Sequence, residues 1–127
     1  LNHQKVAVAN ISLEQLNNIT VFRVAGTLSF NELVGTIEKF YPLVTGHILW
    51  DLTGGEFGEI SVEQFDTLPY IINKCMINRV NGKNAYVSSD DKDYGLLRMY
   101  QLISRYRSMA HESNVFREME AALAWLC

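Results

Sequence analysis

At 127 residues, 48% hydrophobic and 20% charged, the chain has the size and composition of one folded domain, which excludes an extended disordered segment. Its formal charge of −3 lacks the basic excess of a nucleic-acid or anionic-membrane binder, so neither partner is expected. No apolar run reaches the roughly 18 residues of a membrane-spanning helix.

No basic stretch followed by an apolar one opens the sequence, so no secretion leader is expected. Cys75 and Cys127 form no C-x-x-C pair and no ligand cluster with His3, His47 or His111. Both read as free thiols of a reducing, cytoplasmic compartment, with no metal and no cofactor expected.

In chain order, 6–13 carries apolar residues at 6, 8, 11 and 13, a broken alternation that predicts a bulged edge strand. Ser12 and Gln15 would alternatively cap a short helix there. Asn17-Asn18 is a turn signal, and Ile19 to Ala25 a strand that completes a hairpin. Ser29 and Glu32 form a capping box, flanked by the hydrophobic staple Leu28/Leu33, ahead of a helical stripe through Phe30, Val34, Ile37 and Tyr41. Pro42 and Gly46 are expected to end that helix.

His47 to Leu52 reads as a central strand covered on both faces, and 53–58 as a glycine-rich loop. A second box, Ser61/Gln64, with the staple Ile60/Phe65, opens a helix through Val62, Leu68, Ile72 and Met76, which Pro69 should kink or restart. Asn81-Gly82 predicts a turn, and Lys83 to Ser88 a strand. Asp90 or Asp91 would cap a helix with the inward stripe Leu96, Met99, Ile103 and Tyr106. Val115-Phe116 is a short strand, and Glu118 to Leu126 a last helix with Met119, Ala122, Leu123 and Leu126 inward. The fold class is therefore α/β. One domain over 1–127 would hold a mixed, mostly parallel sheet of about five strands, an N-terminal hairpin and four helices.

Ligands of open α/β sheets bind beyond the C-terminal strand ends. Asp51, ending the central strand, and Asp90 and Asp91, following the next, would converge there. Asp51 in an Asp-x-Thr-Gly sequence admits phosphoryl transfer, whereas a local cap of its own loop is the plainer reading. Gly54, Gly55 and Gly58 either cradle phosphate through backbone N–H groups or simply make a turn that needs positive φ. Glu56 and Glu59 would repel an anion there. Arg98, Arg105 and Arg107 with Tyr100 and Tyr106 make either a basic-aromatic patch or a solvated helix face.

The run Val21 to Ser29, then Leu49 to Gly54, Ser88 to Asp91, Tyr94 to Met99, Val115 to Arg117 and Ala122 to Leu126 resembles the STAS-like family, bacterial relatives of the sporulation anti-sigma-factor antagonist. The resemblance spans about residues 11–126. It implies a non-enzymatic domain that binds an unknown protein partner. Its interaction loop would comprise Asp51, Thr53, Gly54, Gly55, Gly58 and Ser61, with a second rim at Asp90, Asp91, Tyr94 and Arg98. Ser61 matches the serine that regulated members have phosphorylated, although the preceding acid, Glu59, is displaced by one residue. Ser61 equally has a sufficient role as an N-cap. Some relatives resemble lipid carriers, which implies a ligand pocket between sheet and helices near Phe30, Phe40, Phe65 and Tyr94. The exposed edge strand and Trp125 leave room for a homodimer.

Overall fold

The computed structural model describes residues 10–76, 79, 81–107 and 111–127. His3 and residues 6–9 of the expected first strand lie outside them. The elements run β1 (Asn10–Leu16), β2 (Ile19–Leu28), α1 (Phe30–Phe40), a 3-10 turn (Tyr41–Leu43), β3 (His47–Phe57), α2 (Val62–Cys75), β4 (Lys83–Val87), α3 (Asp91–Tyr106), β5 (Glu112–Phe116) and α4 (Met119–Leu126). The sheet order is β1-β2-β3-β4-β5, with β1 antiparallel to β2 and every later pair parallel. This is the mixed five-strand, four-helix architecture expected from the alternating pattern.

Each parallel step advances one strand in the same direction, so the connecting helices fall on one face. There α1, α2 and α3 bury Leu33, Ile37, Phe65, Leu68, Ile72, Leu97 and Tyr100 against Phe22, Val24, Ile48, Trp50 and Tyr86. The opposite face carries a smaller cluster, in which Ala122 and Leu126 of α4 meet Ile19, Val21, Leu49, Ala85 and Val87. Trp125 is half-buried, its ring centroid 5.7 Å from that of Phe116 and with the Lys83 ammonium over it, so it is no free surface apolar.

Local chemistry sets the helix starts. Ser29 Oγ accepts from Glu32 N at 3.1 Å, and Glu32 Oε1 accepts from Ser29 N at 2.8 Å. Ser61 and Gln64 repeat the arrangement at α2. Asn17 and Asn81 take positive φ in their turns, a conformation that asparagine tolerates.

Four expectations are corrected. First, β1 pairs in continuous register and is not bulged; it is largely exposed on both faces, so its apolar residues need not alternate. Second, α2 runs through Pro69 without restarting. Pro69 is buried, and the packing of Phe65, Leu68 and Ile72 on the sheet holds the helix across the missing N–H. Third, the buried face of α3 is Asp93, Leu97, Tyr100, Gln101 and Ser104; Leu96, Met99 and Ile103 are only half-buried and Tyr106 is 86% exposed. Fourth, residues 53–57 are strand rather than loop. Beyond Arg23↔Asp51 the β2–β3 register shifts and resumes at Ala25↔Gly54, continuing to Leu28↔Phe57. β4 reaches only Val87, opposite Asp51, so among the described residues this last stretch is a ribbon of two strands.

Candidate functional site at the C-terminal rim

The register shift explains the Asp-x-Thr-Gly sequence. Between Arg23↔Asp51 and Ala25↔Gly54, β3 holds two residues where β2 holds one, which is a β-bulge. Thr53 stands out of the ladder, and Asp51 Oδ1 accepts from both Thr53 N at 2.9 Å and Thr53 Oγ1 at 2.6 Å. Asp51 Oδ2 lies 3.5 Å from Arg23 Nε, and Arg23 also pairs with Glu14. Asp51 is thus a bulge clamp within a row of charges crossing β1, β2 and β3. Asp51→Ala is expected to lower the unfolding free energy by about 1–2 kcal/mol, because a charged acceptor of two hydrogen bonds is lost while the exposed Thr53 donors can turn to water. Urea denaturation followed by circular dichroism checks this; an unchanged midpoint would show that the bulge stands without its clamp.

The glycines serve close approach rather than a positive φ, which among the described glycines only Gly26 adopts. A Cβ on Gly55 would sit 2.7 Å from Val24 O and 2.8 Å from Gly26 O, so only glycine lets β3 pass β2 there. Gly58 N donates to Leu28 O at 2.8 Å and closes the ribbon.

The first turn of α3 holds the ribbon's end. Asp93 is fully buried, and its Oδ2 accepts from Phe57 N at 3.1 Å, while Lys92 Nζ donates to Phe57 O at 3.5 Å. Asp93 Oδ1 has no hydrogen-bond partner among the described residues. Burial pushes the Asp93 carboxyl above its usual range, against the opposing pull of the Phe57 N–H and the Lys92 charge. Where β3 hands over to α2, an open groove lies between the two helix starts, lined by Gly58, Glu59, Ile60, Ser61, Lys92 and Leu96. Ser61 is exposed at its edge and already accepts from Gln64 N.

The second rim is assembled only in part. Asp90 caps α3 by accepting from Asp93 N at 3.0 Å. Asp91 accepts from Arg117 Nη1 at 2.6 Å, and the Arg117 guanidinium lies 4.0 Å over the Tyr94 ring. Arg98 is exposed further along α3. The expected convergence of Asp51 with Asp90 and Asp91 does not occur through any contact: each carboxylate serves a separate local partner. Among the described residues, no three acids, histidines or cysteines come together as a metal site.

The basic-aromatic face of α3 also divides. Tyr100 belongs to the core, whereas Arg107 pairs with Asp66 at 2.7 Å. Between the sheet and α1–α3 the core encloses an apolar cavity of about 30 Å³, bordered by Leu33, Tyr41, Trp50, Phe65 and Tyr100. Ligand pockets run to roughly 300–1,000 Å³. The space implied for an apolar ligand is therefore a packed core, with Phe65 buried and Phe30, Phe40 and Tyr94 half-buried against it.

Lys92, Leu96 and Asp93 were not among the expected site residues. The signal for Asp93 was present: 93, 97, 100 and 104 have spacings of 4, 3 and 4, a helical stripe obscured by its polar members.

The chain is similar to a solved structure, an uncharacterized protein of the DUF3478 family with a SpoIIAA-like fold from Shewanella loihica PV-4. Identity is 16%, the alignment covers 94% of this chain and 93% of that one, and the TM-score is 0.56. The likeness is one of fold, and the fold is the STAS-like one. No family profile matches the sequence, and neither does any curated protein. No helix among the described residues is long and apolar enough to cross a membrane.

Proposed function

We propose that this chain is a non-enzymatic, regulatory interaction domain of a reducing compartment. It meets a protein partner through the rim formed by the end of β3 and the starts of α2 and α3. The observation that carries this reading is the open groove beside the exposed N-cap Ser61, held in place from below by Asp93 and Lys92. The engagement of Asp51, with Oδ1 holding Thr53 and Oδ2 facing the Arg23 guanidinium at 3.5 Å, supports a structural role for this carboxylate over phosphoryl transfer. Ser61 is the candidate switch on this surface. A phosphate there would lie at a helix N-terminus, where backbone N–H groups and the helix dipole favour negative charge, and it would change the rim's charge without disturbing the core.

Affinity capture with the wild-type chain, Gly58→Arg and Ser61→Glu tests the assignment. Both variants are expected to lose a partner that the wild type retains, while keeping native circular dichroism. If every captured partner persists in both, the rim is not the interaction surface. A second copy of this chain among the captured partners would make the rim, or the exposed β1 edge, a homodimer contact.

A further inference from the structure

We infer that the groove accepts a basic segment of a protein partner, one that seats an apolar side chain on Ile60 and Leu96 and sets lysine or arginine against Glu59 and Glu63. This rests on the rim reading above and specifies the partner's chemistry. Five exposed carboxylates lie at or beside this rim, and three are already engaged. Glu56 accepts from Thr27 Oγ1, Asp90 from Asp93 N, and Asp91 from Arg117. Glu59 and Glu63 are exposed and make no hydrogen bond or ion pair among the described residues. Glu63 in the first turn of α2 complements the helix dipole. Glu59 lies outside the helix, so the dipole does not account for it.

The apolar half of the surface sits between the charges. Ile60 is at the groove, Leu96 is half-buried in its wall, and Val62 is 56% exposed beside them. The one lysine of the wall, Lys92, is turned onto Phe57 O and leaves the two glutamates uncompensated. At the other end of the domain cations exceed acids: Lys39, Lys74 and Arg105 in the last turns of α1, α2 and α3, with Arg79 and Lys83 at the strand starts, stand against Glu38 and Glu112. The charge is polarised along the strands, so a cationic segment is steered to this rim and repelled from the far end.

The test is an amide-resolved NMR titration of the whole chain with three synthetic peptides: an amphipathic lysine–leucine peptide, its glutamate–leucine counterpart, and a lysine–serine peptide of the same charge. The lysine–leucine peptide is expected to shift the amides of 58–64 and Leu96 saturably. The other two should bind at least about tenfold more weakly, as should the lysine–leucine peptide to Glu59→Lys/Glu63→Lys, in which two exposed side chains change sign. Equal binding of the glutamate–leucine peptide, equal binding of the lysine–serine peptide, or unchanged affinity in the double variant would each overturn the inference. If Gly58→Arg loses a captured partner while the lysine–leucine peptide ignores the groove, the charge assignment falls and the rim reading stands. Shifts at the groove with no partner lost on Gly58→Arg would instead remove the rim reading on which the inference depends.

Discussion

Trp50→Ala is expected to lower the unfolding free energy by about 3–5 kcal/mol, the range for truncating a buried aromatic. Trp50 lies in the middle of the central strand and is 3% exposed. Its ring stacks on Phe22 with centroids 4.7 Å apart and planes 12° from parallel. Its Nε1 donates to Tyr41 Oη at 2.8 Å, a bond inside the core. Tyr41 is itself buried, and burial pushes its phenol well above the usual range, so it remains neutral. Truncation therefore opens a cavity and also removes the donor from a buried oxygen. Trp50→Phe keeps most of the stack and loses the donor, so an intermediate loss of about 1–3 kcal/mol is expected. Urea denaturation read by circular dichroism separates the two. Equal losses for alanine and phenylalanine would mean that the hydrogen bond, and not the ring, carries the site.

The second large effect belongs to Arg79, at the opposite end of the strands. Arg79 is 7% exposed, with Nε donating to Gly46 O at 2.7 Å and Nη2 to Lys83 O at 2.6 Å. Gly46 precedes β3 and Lys83 opens β4, so one guanidinium ties the two strand starts together. Gly82 presses on it so closely that a Cβ there would lie 1.8 Å from Nε. No carboxylate lies within ion-pair distance among the described residues, so carbonyl dipoles alone solvate the charge. Arg79→Ala is expected to cost about 3 kcal/mol or more, because two charge-assisted hydrogen bonds vanish and leave their acceptors without a donor. Arg79→Lys should recover little, since an ammonium cannot span both carbonyls with a fixed fork.

An independent readout comes from the histidines. Burial first, and then the Arg79 charge, hold His111 below its usual 6.5; for His47 the Lys83 charge acts as well. A histidine depressed in the folded state takes up its proton more readily when unfolded. It therefore contributes stability that is present above pH 6.5 and declines as the pH falls from there through the folded value. In Arg79→Ala both histidines should titrate higher, and the decline should be shallower. Unmoved titrations of both rings in a folded variant would show that Arg79 does not act on them.

What was legible in the sequence was what neighbouring residues decide. The boxes Ser29/Glu32 and Ser61/Gln64 lie within one turn, and each opens a helix as expected. The alternation of strand and helix carried the mixed, mostly parallel sheet with its N-terminal hairpin, because crossovers of one hand make successive strands parallel. The misread parts depend on distant partners. Residues 53–57 carry the composition of a loop and become strand only because β2 continues to Leu28 beside them. The buried face of α3 escapes the apolar pattern because Asp93 and Gln101 are polar, yet Asp93 Oδ2 accepts from Phe57 N and Gln101 donates to Ser113 O on other elements. Part of the rim was visible through Gly58 and Ser61. Lys92 and Leu96, supplied by a helix about 30 residues later, were not.

The two-strand stretch past the bulge has a mechanical consequence. Among the described residues, pairing to β1 ends at Ala25 and to β4 at Val87, so residues 26–28 and 54–57 project as a cantilever whose tip is seated in the core by Leu28 and Phe57. A pair of strands alone has little stiffness of its own. The bulge is the root of this beam, with Asp51 as its bracket, and the first turn of α3 is the prop under its tip. A charge placed at Ser61 is therefore felt in two directions, along α2 into the core, where Phe65 meets Phe57, and across the prop of Asp93 and Lys92 into α3.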